Sequence, residues 1–236
     1  MTEHRHGHEH GHELCQHAGD DPRTPDKEEV YDAAFWDARY GSAHALWSGN
    51  PNRNLVAEAS DLEPGTALDA GAGEGADAIW LARRGWRVTA VDISGVALGR
   101  AAAHAAAAGG DVAGLIRWQR ADLLEWTPPE RAYDLVTAQY LQLPTQQRRA
   151  LYARLAAAVA EGGTLLIVGH HPADMGTTMP RPQRPDLFFT GDDLAAELGG
   201  VGWKIVTNVA APREATDPEG RPVTIHDTVF RARRDR

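Results

Sequence analysis

The stretch Leu68-Asp69-Ala70-Gly71-Ala72-Gly73-Glu74-Gly75 decides the fold. A short apolar run, Thr66-Ala67-Leu68, leads into an acid and then three glycines at alternate positions. Behind them, residues 76–84 have helix-forming composition and Gly85 supplies a stop. The pattern predicts strand, glycine turn, helix. Glycine admits positive φ and lets a ligand lie close to the main chain, and the helix N-terminus adds free N–H groups and a positive dipole end. A dinucleotide fingerprint would space its glycines G-x-G-x-x-G over a pyrophosphate. Here the spacing is G-x-G-x-G, with Asp69 two residues before the first glycine. A carboxylate there is a poor neighbour for a pyrophosphate and a good one for an ammonium or sulfonium.

Working outward, Trp86-Arg87-Val88-Thr89-Ala90-Val91-Asp92 is an apolar strand ending in an acid, 23 positions after Asp69. In nucleotide-binding βαβ units an acid at that point takes the ribose hydroxyls, and its two oxygens can accept from both. Ser94 is the better-placed cap for the next helix, residues 95–108, which Gly109-Gly110 stops. Residues 115–119 form a third strand leading to Asp122, and residues 133–140 a fourth, ending at Gln139 and Tyr140. A long helix over residues 146–160, with Thr145 as cap and Gly162-Gly163 as stop, precedes a buried fifth strand, residues 164–168. His170 and His171 leave the sheet, and a Pro-rich loop carrying Arg181 and Arg184 follows. Thr190-Gly191-Asp192-Asp193 has the form of a capping box with Asp in place of Glu, opening a short helix to Leu198. Residues 203–210 and 223–233 then form an antiparallel hairpin.

Leu68-Asp69-Ala70-Gly71-Ala72-Gly73-Glu74-Gly75 resembles the first motif of the class I S-adenosylmethionine (SAM)-dependent methyltransferases, and the later acids and strands follow at that family's intervals. The resemblance covers most of residues 27–233. It implies an α/β fold: a Rossmann-like, doubly wound, seven-stranded and mostly parallel sheet, with a C-terminal antiparallel hairpin and an N-terminal helical lid. It implies SAM as cofactor and S-adenosylhomocysteine (SAH) as product. Asp69, Gly71 and Gly73 would hold the methionine end, Asp92 with Ile93 the ribose, and Asp122 with Leu123 the adenine. Gln139 and Tyr140 would face the methyl group and the acceptor.

Residues 27–60 carry an aromatic helix (Tyr31, Phe35, Trp36, Tyr40) and the loop Trp47-Ser48-Gly49-Asn50-Pro51. This segment resembles the lid of several small-molecule methyltransferases, which implies that Trp47 covers the cofactor and Tyr31 the substrate. Packing onto the sheet would account for the same aromatics. With the histidines after the fifth strand, it looks like the thiopurine and tellurite-resistance enzymes. The implied acceptor is a small thiol, chalcogen oxyanion or similar molecule. His170 and His171 are the candidate bases, because a neutral imidazole is well poised near pH 7. Arg181 is a candidate for binding an anionic acceptor.

Composition sets the outer bounds. The 236 residues suit one domain with a tail, residues 1–26, ahead of a catalytic domain, residues 27–236. No run approaches a membrane span and no apolar leader is evident, so the expected address is cytoplasmic. One cysteine, Cys15, excludes intramolecular disulfides. A net charge of −9 disfavours nucleic acid as a partner. A monomer or homodimer acting on a small molecule is expected. The tail bears His4, His6, His8, His10, His12 and Cys15, donors suited to Zn or Ni. Incidental metal buffering and a defined site both stand as readings of it. Two rival functions remain: a non-catalytic nucleoside-sensing, metal-buffering protein, and an NAD-dependent oxidoreductase, against which the glycine spacing and Asp69 count.

Overall fold

The computed structural model describes residues 31–42 and 48–236. The chain runs α1 (Ala33–Ser42), α2 (Arg53–Ala59), β1 (Thr66–Ala70), α3 (Ala76–Arg83), β2 (Arg87–Asp92), α4 (Gly95–Ala108), α5 (Gly110–Ala113), β3 (Ile116–Arg120), β4 (Tyr133–Gln139), α6 (Thr145–Ala158), β5 (Val159–His170), α7 (Gly191–Leu198), β6 (Trp203–Thr216) and β7 (Pro222–Arg234). The strands form one seven-stranded sheet in the order β3-β2-β1-β4-β5-β7-β6. β1 to β5 are parallel and β7 is antiparallel to both β5 and β6, as the sequence predicts. The order reverses between β1 and β4, so the crevice at their carboxyl ends is the natural ligand site of this topology.

Both faces of the central strands are buried, which is why they are runs of apolar residues without alternation. In β5, Leu165 and Ile167 join a core with Leu151, Leu155, Phe189 and Phe230 under α6 and α7. Leu166 and Val168 join Leu55, Leu81 and Trp86 on the opposite face, under α2 and α3. No described helix is long and apolar enough to cross a membrane.

Several boundaries differ from the sequence expectation. α6 stops at Ala158, and Val159 already pairs with Tyr133, so Gly162 (φ 75°) lies in an irregular part of β5 instead of ending a helix. Thr145 is the first residue of α6 and not its cap; its Oγ1 donates to the carbonyl of Asp186 at 3.1 Å, tying α6 to the loop before α7. Gly109 breaks the α4 helix, but Gly110 starts the extra turn α5. The Pro-rich segment after β5 is packed: it holds two 3₁₀ turns, Pro172–Gly176 and Pro185–Leu187, and buries Leu187, Phe188 and Phe189.

Candidate functional site

The glycine turn is built as the sequence predicts. Gly71, Gly73 and Gly75 all have positive φ (79°, 52° and 83°), a region costly to other residues. The N–H groups of Gly71 and Ala72 both donate to the carbonyl of Val91, so the turn is sewn onto the end of β2. A Cβ on Gly71 would lie 2.5 Å from Leu141, and one on Gly75 would lie 2.6 Å from the Trp118 ring. Glycine is therefore required at both positions for these side chains to pack on the turn, and α3 begins without a side-chain cap.

Asp92 is buried and does two things at once. Its Oδ2 accepts from the N–H of Gly73 and its Oδ1 from that of Ser94, each at 2.8 Å. Each oxygen keeps capacity for a further donor. Ser94 caps α4 as expected, accepting from the N–H of Ala97.

Three carboxylates crowd this turn, with no cation among them from the described residues. Asp69 is 2% exposed and its Oδ2 has no hydrogen-bond partner. Burial, then the charges of Asp77 and Asp92, hold its carboxyl well above the ordinary range. Burial likewise pushes Asp77 up to about 6, although the backbone N–H of Asn52 donates to its Oδ1 at 2.6 Å. Asp92 is also raised, chiefly by burial. Sequence reasoning missed Asp77, because an acid in the first turn of a helix is ordinary dipole chemistry. Glu74 does not belong with these acids; it is paired to Arg100 at 2.9 Å.

Asp122 begins the turn after β3, its Oδ1 accepting from Leu124 N–H at 2.8 Å. Leu123 is buried and its carbonyl accepts from Arg154. α1 lies over α4. Asp37 of α1 accepts from the Ser94 hydroxyl at 2.6 Å and from Val96 N–H at 3.2 Å, and its Oδ2 stands 3.3 Å from Arg120. These bonds, led by the one from Ser94, lower the Asp37 carboxyl pKa. Tyr31 stacks edge-on against Phe35 at 5.1 Å, in an aromatic cluster with Trp36, on the α4 side of the site. Trp47 and the tail residues His4, His6, His8, His10, His12 and Cys15 lie outside the described residues. Among the described residues no cluster of three or more His, Cys, Asp or Glu could hold a metal ion.

The other half of the crevice lies at the ends of β4 and β5. Gln139 donates through Nε2 to Thr137 Oγ1, while its buried Oε1 has no partner. Tyr140 has φ 51°, a strained value for a large side chain. Its ring lies 4.8 Å from that of His170. Burial, then the neighbouring Asp227 charge, raises the pKa of its hydroxyl so that it stays a neutral phenol. The two histidines diverge. His170 packs between Tyr140 and Phe188. His171 turns away, its Nδ1 accepting from Ala173 N–H at 3.2 Å as the cap of a 3₁₀ turn. Burial and the neighbouring His226 lower its pKa and keep it neutral.

Beyond them, two fully buried acids are each matched to an arginine. Asp227 accepts from Asn54 Nδ2 at 3.1 Å and stands 3.3 Å from Arg213. Asp174 accepts from the N–H of His226, at 2.9 and 3.0 Å, and stands 3.6 Å from Arg181. Arg181 is not a solvated loop residue: its side chain is 8% exposed.

The model of a methyltransferase domain matches residues 67–163. An uncharacterized methyltransferase of Mycobacterium tuberculosis is 34% identical over 123 residues, 52% of this chain and 59% of that protein. The chain thus spans about three fifths of the length of the curated relatives it matches first. Among solved structures, a protein studied for the conversion of a disulfide bond into a thioacetal group during echinomycin biosynthesis superposes with TM-score 0.66 at 27% identity, over 86% of this chain and 91% of that one. TehB from Haemophilus influenzae superposes with TM-score 0.64 at 18% identity, over 86% of this chain and 67% of that one, a likeness of fold. The match to a methyltransferase domain runs from the first strand into the fifth and has the glycine turn and its buried acids near its start, and the chain shares its fold with these solved structures.

Proposed function

We propose that the protein transfers the methyl group of SAM to a small-molecule acceptor, a thiol, chalcogen oxyanion or similar nucleophile. The observation that carries this reading is the uncompensated acid cluster at the glycine turn. A buried carboxylate with no cation is costly, and a ligand that brings its own positive charge relieves the cost. In this reading Asp69 and Asp77 meet the ammonium of the methionine end, and the main chain at Gly71 and Gly73 lies along it. Asp92, with Ile93 beside it, uses its remaining acceptor capacity for the ribose, and Asp122 with Leu123 flanks the adenine. Gln139 borders the methyl group.

The bound cofactor supplies an electrophilic methyl on a sulfonium whose departure leaves a neutral thioether. The chain then needs no general acid. Its work is to position, to exclude water and, for a protonated acceptor, to accept a proton. Positioning alone is worth ~7–11 kcal/mol in well-aligned systems. His170, stacked on Tyr140 at the crevice, is the residue placed to take that proton. His171 already spends its Nδ1 on a backbone N–H.

Calorimetry with SAM, SAH and NAD tests the assignment. Binding of the first two without the third is expected; binding of neither would overturn it. An Asp92→Ala protein with unchanged SAH affinity would end the ribose assignment. A product-detecting screen over thiols, phenols, amines, tellurite and selenite would identify the acceptor.

A further inference from the structure

We propose that the acceptor carries a carboxylate and that the guanidinium of Arg181 is its anchor. This rests on the methyl-transfer reading and adds the class of molecule that enters the site. The argument begins with unmet donors. Arg181 is 8% exposed, and neither its Nε nor its Nη2 has a hydrogen-bond acceptor. Its Nη1 makes one long contact, 3.5 Å to the carbonyl of Pro180. Asp174 is 3.6 Å from Nη2, close enough for charge attraction and too far for a hydrogen bond. Both Asp174 oxygens are engaged by the backbone N–H of His226, and Oδ1 also meets His226 Nδ1 at 3.2 Å.

Buried donors left without acceptors are costly and are uncommon in folded proteins. The two unmet nitrogens are not an arbitrary pair. Nε and Nη2 form one edge of the planar guanidinium, the two-donor fork that matches a carboxylate. A lysine or hydroxyl left over in a loop would not carry this geometry.

The position also fits an acceptor anchor. His170 and Asp227 are register partners across β5 and β7. One step further, His171 N–H donates to the carbonyl of His226, and the carboxylate of Asp174 then takes over the ladder by accepting His226 N–H. Asp174, and Arg181 beside it, is therefore held one ladder step past the His170–Asp227 register pair, which in the methyl-transfer reading is the acceptor side. Its loop is fixed at both ends, by Asp174 and by the buried Leu187, Phe188 and Phe189. Charge selects a carboxylate over a doubly charged oxyanion. Asp174 and Asp227 are fully buried nearby, and a dianion would face both.

The experiment uses the full chain. SAH is titrated first; failure to bind would overturn the cofactor reading, and this inference with it. Acetate, butyrate and benzoate are then titrated into the SAH-loaded protein, with butyramide and sulfate as controls. Saturable binding of at least one carboxylate, with none by butyramide and weaker binding by sulfate, is the expected result. Arg181→Gln should weaken carboxylate binding at least tenfold and leave SAH affinity unchanged. Arg181→Lys keeps the charge beside Asp174 but lacks the fork, guards against misfolding of the glutamine variant, and should also lose at least tenfold. No carboxylate binding, tighter sulfate binding, or an Arg181→Lys protein that binds like the wild type would overturn the proposal and leave Arg181 as a structural counter-ion of Asp174.

Discussion

Two groups of buried aspartates lie in one crevice and are treated in opposite ways. At the glycine turn, Asp69, Asp77 and Asp92 share a small volume with no cation of the described residues beside them, and all three are pushed towards the protonated form. At the far end, Asp174 and Asp227 are more deeply buried, yet each has an arginine within 3.6 Å and backbone or amide donors on its oxygens. A compensated acid is architecture: it holds β7, the loop after β5 and α2 together. An uncompensated acid is a demand that a ligand can meet. The contrast separates structural carboxylates from candidate binding ones better than burial does, since burial is shared.

The sharpest way to break that distinction is to remove one acid from each group. Asp227→Ala leaves Arg213 and Asn54 without their buried partner and should cost about 3–5 kcal/mol of stability, measured by denaturant unfolding. Asp69→Asn should do the reverse. It should leave the protein at least as stable and weaken SAH binding by about 100-fold, roughly 2.7 kcal/mol, in calorimetry. If Asp69→Asn were as destabilising as Asp227→Ala, the two groups would not differ in kind.

Titration sharpens the comparison. Asp77 has a folded pKa of about 6 against an ordinary 3.8, so between those values the folded protein holds the proton that the unfolded chain has lost. Stability of the ligand-free protein therefore falls as pH rises through that window. Asp77→Asn should raise ligand-free stability at pH 7 by about 1–2 kcal/mol, with the gain shrinking to nothing near pH 4. In the wild type, the proposed pairing of these acids with the ligand's ammonium predicts that SAH affinity weakens as pH drops through about 6 and Asp77 becomes neutral. The smallest effect expected is at the lid: Asp37→Ala removes a second acceptor from the start of α4 and should cost about 1 kcal/mol. It should also speed SAH dissociation, read by stopped flow.

How much of this was legible in the sequence follows the range of the interactions. The glycine turn, the Ser94 cap, the acid at the end of β2 and the Thr190–Asp193 capping box are local, so spacing alone exposes them. The seven-stranded order came with the family resemblance. What stayed hidden is long-range. Asn54 meets Asp227 across 173 positions, and Arg181 owes its burial to a loop whose prolines suggested exposure. Adjacent residues also misled. His170 and His171 look equivalent as letters, but one packs on a tyrosine ring and the other caps a turn. Asp77 was overlooked because its importance comes from Asp69 and Asp92, which only folding brings beside it.

Asn52 connects the two halves. Its backbone N–H donates to Asp77, its side-chain oxygen holds the start of α2, and its side chain stands beside the hydroxyl of Tyr140. One residue thus touches the acid cluster of the glycine turn and the end of β4. A ligand that shifts Asp77 and one that moves Tyr140 would act on the same residue and exchange their effects through it. Linkage makes that exchange symmetric: the factor by which one ligand improves the other's affinity is the same in both directions. The affinities for cofactor and acceptor would then be tied partly through a single asparagine, at the entrance to a helix of seven residues.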